Sequence, residues 1–351
     1  MQHVLIHIIP TLGSGGAENV LCRIVEDFHS RGIIQYVISI QGNSNDFNHE
    51  RIAPFCEVIH KISQPEKVKK IFRDHPNAII LGWMYKGIAA AHLWRFLYGK
   101  NTQRLIWNIR HSNFGPRQYY QKIMLFVFGL MSRFLKPKVI YCSYRSKQVH
   151  ENALFTKYNK KVIVNRLAKL PPAQIKAKQH SKSYLLFVGR FNPQKGPKYF
   201  LAISQKILAT HSDLEIWIAG KGWDINFFPL SLHPRIKILG QQKEIYPLYK
   251  NASVFLFTSI YGEGYPNVLA EAMAVGTPVV AFDAGDAKQM LENYAHGKIV
   301  DNVNEFVVQV NYYLDHPLTE LQREGEAQRQ CQDLSFTITL QEYRNFIFDL
   351  G

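Results

Sequence analysis

Tyr184-Leu185-Leu186-Phe187-Val188-Gly189-Arg190-Phe191-Asn192-Pro193-Gln194-Lys195-Gly196 decides how this chain folds. An unbroken apolar run of this length, closed by Gly189 and Pro193, is a buried strand, a loop and the start of a helix. The same pattern recurs in both directions. Short apolar, β-branched runs stand at 4–9, 36–40, 78–83, 104–109, 139–143 and 161–164, and again at 215–219, 236–239, 252–258, 277–282 and 297–300, with helix-length segments between them. Strands alternating with helices are βαβ units and build parallel sheets. The series pauses at 167–183, where Leu170-Pro171-Pro172 precedes the polar, basic stretch Gln174–Ser183, the best linker in the chain. The expected fold class is α/β, with two Rossmann-like doubly wound domains facing each other across a cleft: residues 1–170, then 171–334. Phe336, Leu340, Tyr343, Phe346, Ile347 and Leu350 recur at near-helical spacing, which predicts a final helix in 335–351 packing back towards the first domain.

The 351 residues are 46% hydrophobic and 20% charged, a globular balance that excludes a disordered chain or a coiled coil. Forty-two Lys and Arg against 27 Asp and Glu give a formal net charge of +15. The excess is confined to one half: residues 1–170 hold 25 basic and 9 acidic side chains, while 171–351 hold 17 and 18. No acid occurs between Asp74 and Glu151, an interval with twelve Lys and Arg interleaved with aromatics such as Trp94, Phe96, Phe126 and Phe134. Cys22, Cys56, Cys142 and Cys331 form no C-x-x-C pair, so neither a disulfide framework nor a zinc site is expected, and a reducing cytosol fits. Met1-Gln2-His3 lacks a cationic leader region, and the longest strongly apolar stretch, Ile123–Met131, is far short of the ~20 residues that span a bilayer.

Three segments carry chemistry. Leu12-Gly13-Ser14-Gly15-Gly16-Ala17-Glu18 follows a strand and opens a helix, a turn where backbone N–H groups meet an anion. It lacks the third small residue of a dinucleotide fingerprint, and no acid ends the second strand, which disfavours a Rossmann oxidoreductase. After strand 184–188, Arg190 and Lys195 place two cations at the carboxyl end of a strand, where open α/β sheets bind ligands; a diphosphate is the natural guest of an Arg and a Lys. Between Asn251 and Phe282 the only charged residues are Glu263 and Glu271, in Tyr261-Gly262-Glu263-Gly264-Tyr265-Pro266-Asn267-Val268-Leu269-Ala270-Glu271-Ala272-Met273. A carboxylate on so apolar a helix needs a polar partner, from the protein or from a ligand's hydroxyls.

The Gly-Gly-Ala-Glu turn, Val188-Gly189-Arg190 with Lys195-Gly196, Ala219-Gly220-Lys221-Gly222, Leu239-Gly240, the Glu263/Glu271 pair and Gly276-Thr277-Pro278-Val279-Val280 occur in this order. Together they resemble the retaining glycosyltransferases of family 4, of GT-B fold. The resemblance makes Arg190 and Lys195 the cations on a nucleotide-sugar's diphosphate and Glu271 the ligand of its ribose hydroxyls. It makes Glu263, with Gly264, Tyr265, Pro266, Asn267 and Val268, the contacts to the transferred sugar and phosphate. Gly15 and Gly16 approach donor or acceptor, His111 stands near the reacting sugar, and the nucleobase lies near Gly240. Retention of configuration is implied by the family alone.

The expected activity is transfer of a sugar from a nucleotide-sugar to a saccharide acceptor, with lipid-linked glycans such as lipopolysaccharide as the acceptor class. The absence of a D-x-D pair predicts a metal-independent, cofactor-free reaction in which Arg190 and Lys195 meet the leaving diphosphate. The alternative is a sugar-nucleotide epimerase or hydrolase of the same fold. A nucleic-acid binder is disfavoured, because no recognition motif accompanies the charge. The acid-free interval predicts a cytoplasmic protein resting peripherally on the anionic inner face of the membrane.

Overall fold

The computed structural model describes residues 3–99, 103–110, 119–175, 182–223 and 233–349, with the side chains of 119–121 excepted. His111, Phe114 and Arg117, Lys100, and the middle of the expected linker at 176–181 lie outside the described residues. The chain divides into two compact units, residues 1–165 with 339–351, and residues 166–338.

The first unit holds seven parallel strands, β1 Val4–Ile9, β2 Ile34–Ser39, β3 Glu57–His60, β4 Ile79–Trp83, β5 Arg104–Ile109, β6 Lys138–Tyr141 and β7 Lys160–Val162, in the order β3-β2-β1-β4-β5-β6-β7. The second holds β8 Tyr184–Val188, β9 Glu215–Ala219, β10 Ile236–Gly240, β11 Val254–Phe257, β12 Val279–Phe282 and β13 Gly297–Val300, in the order β10-β9-β8-β11-β12-β13. All pairs are parallel. The central strands are buried along nearly their whole length because helices cover both faces, which is why they read as nearly continuous apolar runs. β3 has no such run: at the sheet edge, four residues containing Glu57 and His60 suffice.

In each sheet the strand order reverses at one place, between β1 and β4 in the first and between β8 and β11 in the second. There the connections leave in opposite directions and open a crevice at the strands' carboxyl ends. At the first, Met84 takes φ +57 directly after β4, a conformation that costs a non-glycine residue energy. A Cβ on Gly87 would stand 2.3 Å from the Ile8 carbonyl oxygen, so only glycine lets this helix lie against β1.

Leu167 already belongs to the second unit, ahead of Leu170-Pro171-Pro172: its N–H bonds Leu334 O at 2.9 Å and its O accepts Phe336 N–H at 3.0 Å. The final helix, Phe336–Phe348, crosses from one unit to the other at residue 339. Within the first unit Thr339 bonds Val164 O, Tyr343 bonds Asn108 and Arg110, and Arg344 pairs with Asp27. Among the described residues, no helix is long and apolar enough to cross a membrane.

Candidate functional site

The crevice between β8 and β11 is built by two turns bonded to each other. After β8, Asn192 caps a 3-10 turn, Pro193–Lys195, by accepting Gln194 N–H at 2.9 Å. Gly196 follows at φ +63, and a Cβ there would stand 2.2 Å from Thr258 O; the left-handed conformation and the close approach both require glycine. Thr258, just past β11, donates its hydroxyl to Lys195 O at 2.8 Å, and Ile260 N–H bonds Gln194 O at 3.0 Å. These bonds fix the Lys195 backbone against the loop that carries Glu263.

Lys195 Nζ stands 2.6 Å from Glu263 Oε1, with both side chains largely buried. The Ser259 hydroxyl donates to the same oxygen at 2.9 Å. Glu263 therefore arrives at any ligand already aimed, with Oε2 accepting no protein hydrogen bond among the described residues. Gly285, at φ +66, packs on Gly264 and Glu263, and Asp286 N–H bonds Gly264 O at 2.9 Å, which braces the glycine loop from behind.

Glu271 sits on the helix Asn267–Met273, among buried Leu269, Ala270, Ala272 and Met273. Its Oε2 accepts a bond from the hydroxyl of Tyr249 at 3.0 Å. Burial pushes the Glu271 carboxyl above its ordinary value, while the Tyr249 hydroxyl and the Lys195 ammonium pull it back. Tyr249 is fully buried and its phenol is raised well above the ordinary range, chiefly by burial and then by the neighbouring carboxylate, so it remains a donor. Arg190 is exposed at the mouth and has no polar partner among the described residues. The helix behind Pro266 spans only seven residues, so the field at its start is that of two turns. Tyr265, Pro266 and Val268 pack towards the core, and Asn267 is exposed.

The other strand ends join the same rim. Phe191 N–H bonds Lys221 O at 2.8 Å, the Trp223 indole bonds Gly189 O at 2.8 Å, and Gly220 N–H bonds Gly240 O at 2.8 Å. Gly240 holds φ +65 with open space where a Cβ would stand. Two carboxylates, a buried lysine and an exposed arginine are thus gathered at one strand reversal, a set able to grip hydroxyls and a phosphate-bearing group together.

A family model described as glycosyl transferases group 1 matches residues 182–316. The second unit carries a glycosyl transferases group 1 domain. An uncharacterized glycosyltransferase of Haemophilus influenzae is 22% identical over 370 residues, spanning 99% of this chain and 100% of its own. Among solved structures, Anabaena HepE in complex with UDP superposes with a TM-score of 0.76 at 19% identity, covering 99% of this chain and 100% of that one. The lipopolysaccharide outer core galactosyltransferase WaaB, in its apo form, superposes with a TM-score of 0.73 at 16% identity over 100% of both chains. Both likenesses are of fold: two parallel-sheet Rossmann-like domains of the GT-B kind.

Within the glycosyl transferase domain the structure brings together Lys195, Glu263, Gly264 and Glu271, with Arg190 and Gly240 on the rim. Gly15 and Gly16 lie in the first unit, after β1 at its own strand reversal. Nothing stands within 4 Å of a Cβ placed on Gly16, so packing does not demand glycine there. Asp46 accepts Leu12 N–H at 2.9 Å and steadies that loop. Sequence reasoning missed Ser259 and Tyr249. Ser259 has a signal, a Thr-Ser pair directly after a buried strand; Tyr249 has none, because its bond to Glu271 spans 22 residues. Among the described residues, no group of three or more His, Cys, Asp or Glu side chains is placed to hold a metal ion.

Proposed function

We propose that this chain transfers a sugar from a nucleotide-sugar to a saccharide acceptor borne on a lipid, with retention of configuration and without a metal, at the anionic cytoplasmic face of a membrane. The observation that carries the reading is the Lys195–Glu263–Ser259 cluster beside the Tyr249-held Glu271, at the strand reversal of a domain that matches the group 1 transferases. Support for the donor class comes from HepE, which was solved with UDP, and for the acceptor class from WaaB, a lipopolysaccharide galactosyltransferase.

In this reading Glu271 binds the ribose hydroxyls through Oε1 while Tyr249 holds Oε2. Lys195 and Arg190 face the diphosphate. As the bond from the sugar to the diphosphate breaks, negative charge grows on the leaving phosphate and positive charge on the sugar ring. Fixed cations stabilise the former where it arises, and the Glu263 carboxylate, positioned by Ser259, faces the latter. The Lys195–Glu263 ion pair keeps both charges in place before donor arrives, which lowers the cost of organising them in the transition state. The acceptor is recruited by the basic first unit.

The deciding experiment incubates the protein with a panel of nucleotide-sugars and lipid-linked saccharides and weighs the products. A product heavier than its acceptor by one sugar residue is expected. Free sugar alone, or an epimerised nucleotide-sugar, would replace this reading with the hydrolase or epimerase one.

A further inference from the structure

The helix Tyr119–Leu135 is turned the opposite way from a helix whose outer face meets water. Its inner face carries Phe128, Gly129 and Ser132: Phe128 stacks on Tyr85 at 5.1 Å, a Cβ on Gly129 would meet Ala153 O, and the Ser132 hydroxyl accepts Thr156 N–H at 2.8 Å. That face is fixed by contacts, so the opposite one is fixed too. It presents Ile123, Val127, Leu130 and Phe134, spaced i, i+4, i+7 and i+11, with Phe126 beside them, all exposed. Phe134 is 84% exposed. The helix Met84–Tyr98, whose Tyr85 makes that stacking contact, adds Phe96, also 84% exposed, with Leu93 and Leu97 in the same stretch. Trp83, Trp94 and Trp107, from the same acid-free interval, are buried, so the exposed rings are a subset that the core does not need. A continuous apolar helix face of this kind marks a binding surface.

Charge says what covers it. Lys122 and Arg133 lie along one edge of the apolar face, Lys136 follows the helix's last residue, and Arg145 and Lys147 lie on the helix Tyr144–Asn152 packed beside it. No acidic residue occurs anywhere from His75 to His150. A protein partner would need complementary acids around an apolar centre, whereas an anionic bilayer offers headgroup charge above hydrocarbon, in the layering that an apolar face with a basic border matches.

We propose that the outer face of helix Tyr119–Leu135 inserts into an anionic lipid bilayer, with Phe126 and Phe134 as the deepest side chains and Phe96 entering beside them. This takes further the membrane part of the function proposed above: the protein is held by burial of apolar side chains, and the basic border chooses the lipid. The helix lies in the plane of the interface, about 25 Å long at 1.5 Å per residue.

The test is co-sedimentation with vesicles of phosphatidylglycerol and phosphatidylcholine, and of phosphatidylcholine alone, across a salt series. The wild-type protein is expected to bind the anionic vesicles at low salt and to retain part of that binding at 1 M salt, where the Debye length is ~3 Å. The double variant Phe126→Glu/Phe134→Glu is expected to lose at least about tenfold in partitioning, two buried rings replaced by two charges. Phe47→Glu, at a ring 74% exposed elsewhere in the same unit, is expected to bind as wild type. Far-UV circular dichroism confirms that each variant folds. Binding by the wild type that vanishes completely with salt, or a double variant that binds as wild type, overturns insertion. A wild-type dimer in light scattering that the double variant abolishes, without vesicle binding, assigns the face to a second copy. Sugar transfer by the wild type is read separately: vesicle binding without transfer sinks the proposed activity and leaves this inference standing, and transfer without vesicle binding does the reverse.

Discussion

Tyr249→Phe removes one oxygen atom from a fully buried ring and should cost more stability at neutral pH than at pH 4. The ring keeps its edge-on contact with Phe255 at 5.2 Å, and its backbone carbonyl keeps the Thr277 hydroxyl at 2.7 Å, so packing is preserved. What is lost is the donor 3.0 Å from Glu271 Oε2. A hydrogen bond to a charged group contributes about 1.5–3 kcal/mol, and one between neutral groups about 0.5–1.5 kcal/mol. Burial already holds the Glu271 carboxyl above its ordinary 4.5. For an acid whose folded value is raised, the stability it contributes is complete below its unfolded value and is lost as pH rises through the folded one. Removing Tyr249's hydroxyl takes a donor away from the charged form and raises the folded value further, a change worth the difference between a charged and a neutral hydrogen bond. The difference between variant and wild type should therefore be small near pH 4 and grow to about 2 kcal/mol by pH 8. Urea unfolding of the full chain at pH 4, 6 and 8 reads it. In catalysis, the donor KM should rise while kcat changes less, because Glu271 would still reach the ribose but from a looser position. A stability difference that is flat with pH refutes the pairing of Tyr249 with an ionised Glu271.

Other expectations follow from the same geometry. Lys195→Ala and Glu271→Ala should abolish turnover with the fold intact, with Glu271→Gln losing less than Glu271→Ala; near-normal rates at saturating donor for both alanine variants would remove these residues from the site. Activity should survive EDTA, since the leaving phosphate is assigned to Lys195 and Arg190; a rate that vanishes on chelation and returns with manganese would reverse that assignment. His7 is fully buried, accepts the Trp83 indole N–H at 3.2 Å, and is held near pKa 4 against an ordinary 6.5 by burial. Its folded value is depressed, so the unfolded chain takes up the proton first and stability is lost as pH falls from 6.5 towards 4, by about 3 kcal/mol. His7→Gln should flatten that slope in urea midpoints between pH 4 and 7, and an unchanged slope would place the titration elsewhere.

Much of the fold is legible because buried parallel strands announce themselves. The runs at 4–9, 184–188 and 252–258 have no polar face to hide, and glycine or proline closes most of them. β3 escaped that reading, since an edge strand needs no apolar run. Composition marks Gln174–Ser183, after Leu170-Pro171-Pro172, as the linker; that Leu167 joins the second core through backbone bonds to Leu334 and Phe336 has no local signal, because the pairing spans more than 160 residues. In the site, Lys195, Glu263 and Glu271 stand out because charge is rare in apolar sequence.

The sequence by itself determined the two parallel sheets, the glycine turns at their strand ends and the isolation of the two carboxylates, because each follows from periodicity and local composition over ten or so residues. Only the tertiary structure decided what those carboxylates touch. The strand reversal at β8 and β11 brings Lys195 to Glu263 across 68 positions, and the core brings Tyr249 to Glu271. It also decided which aromatics of the basic interval are core and which are surface. Phe128 and Phe126 differ by two positions and by nothing in chemistry, and a helix separates them by about 200° of rotation, turning one against Tyr85 and the other outward.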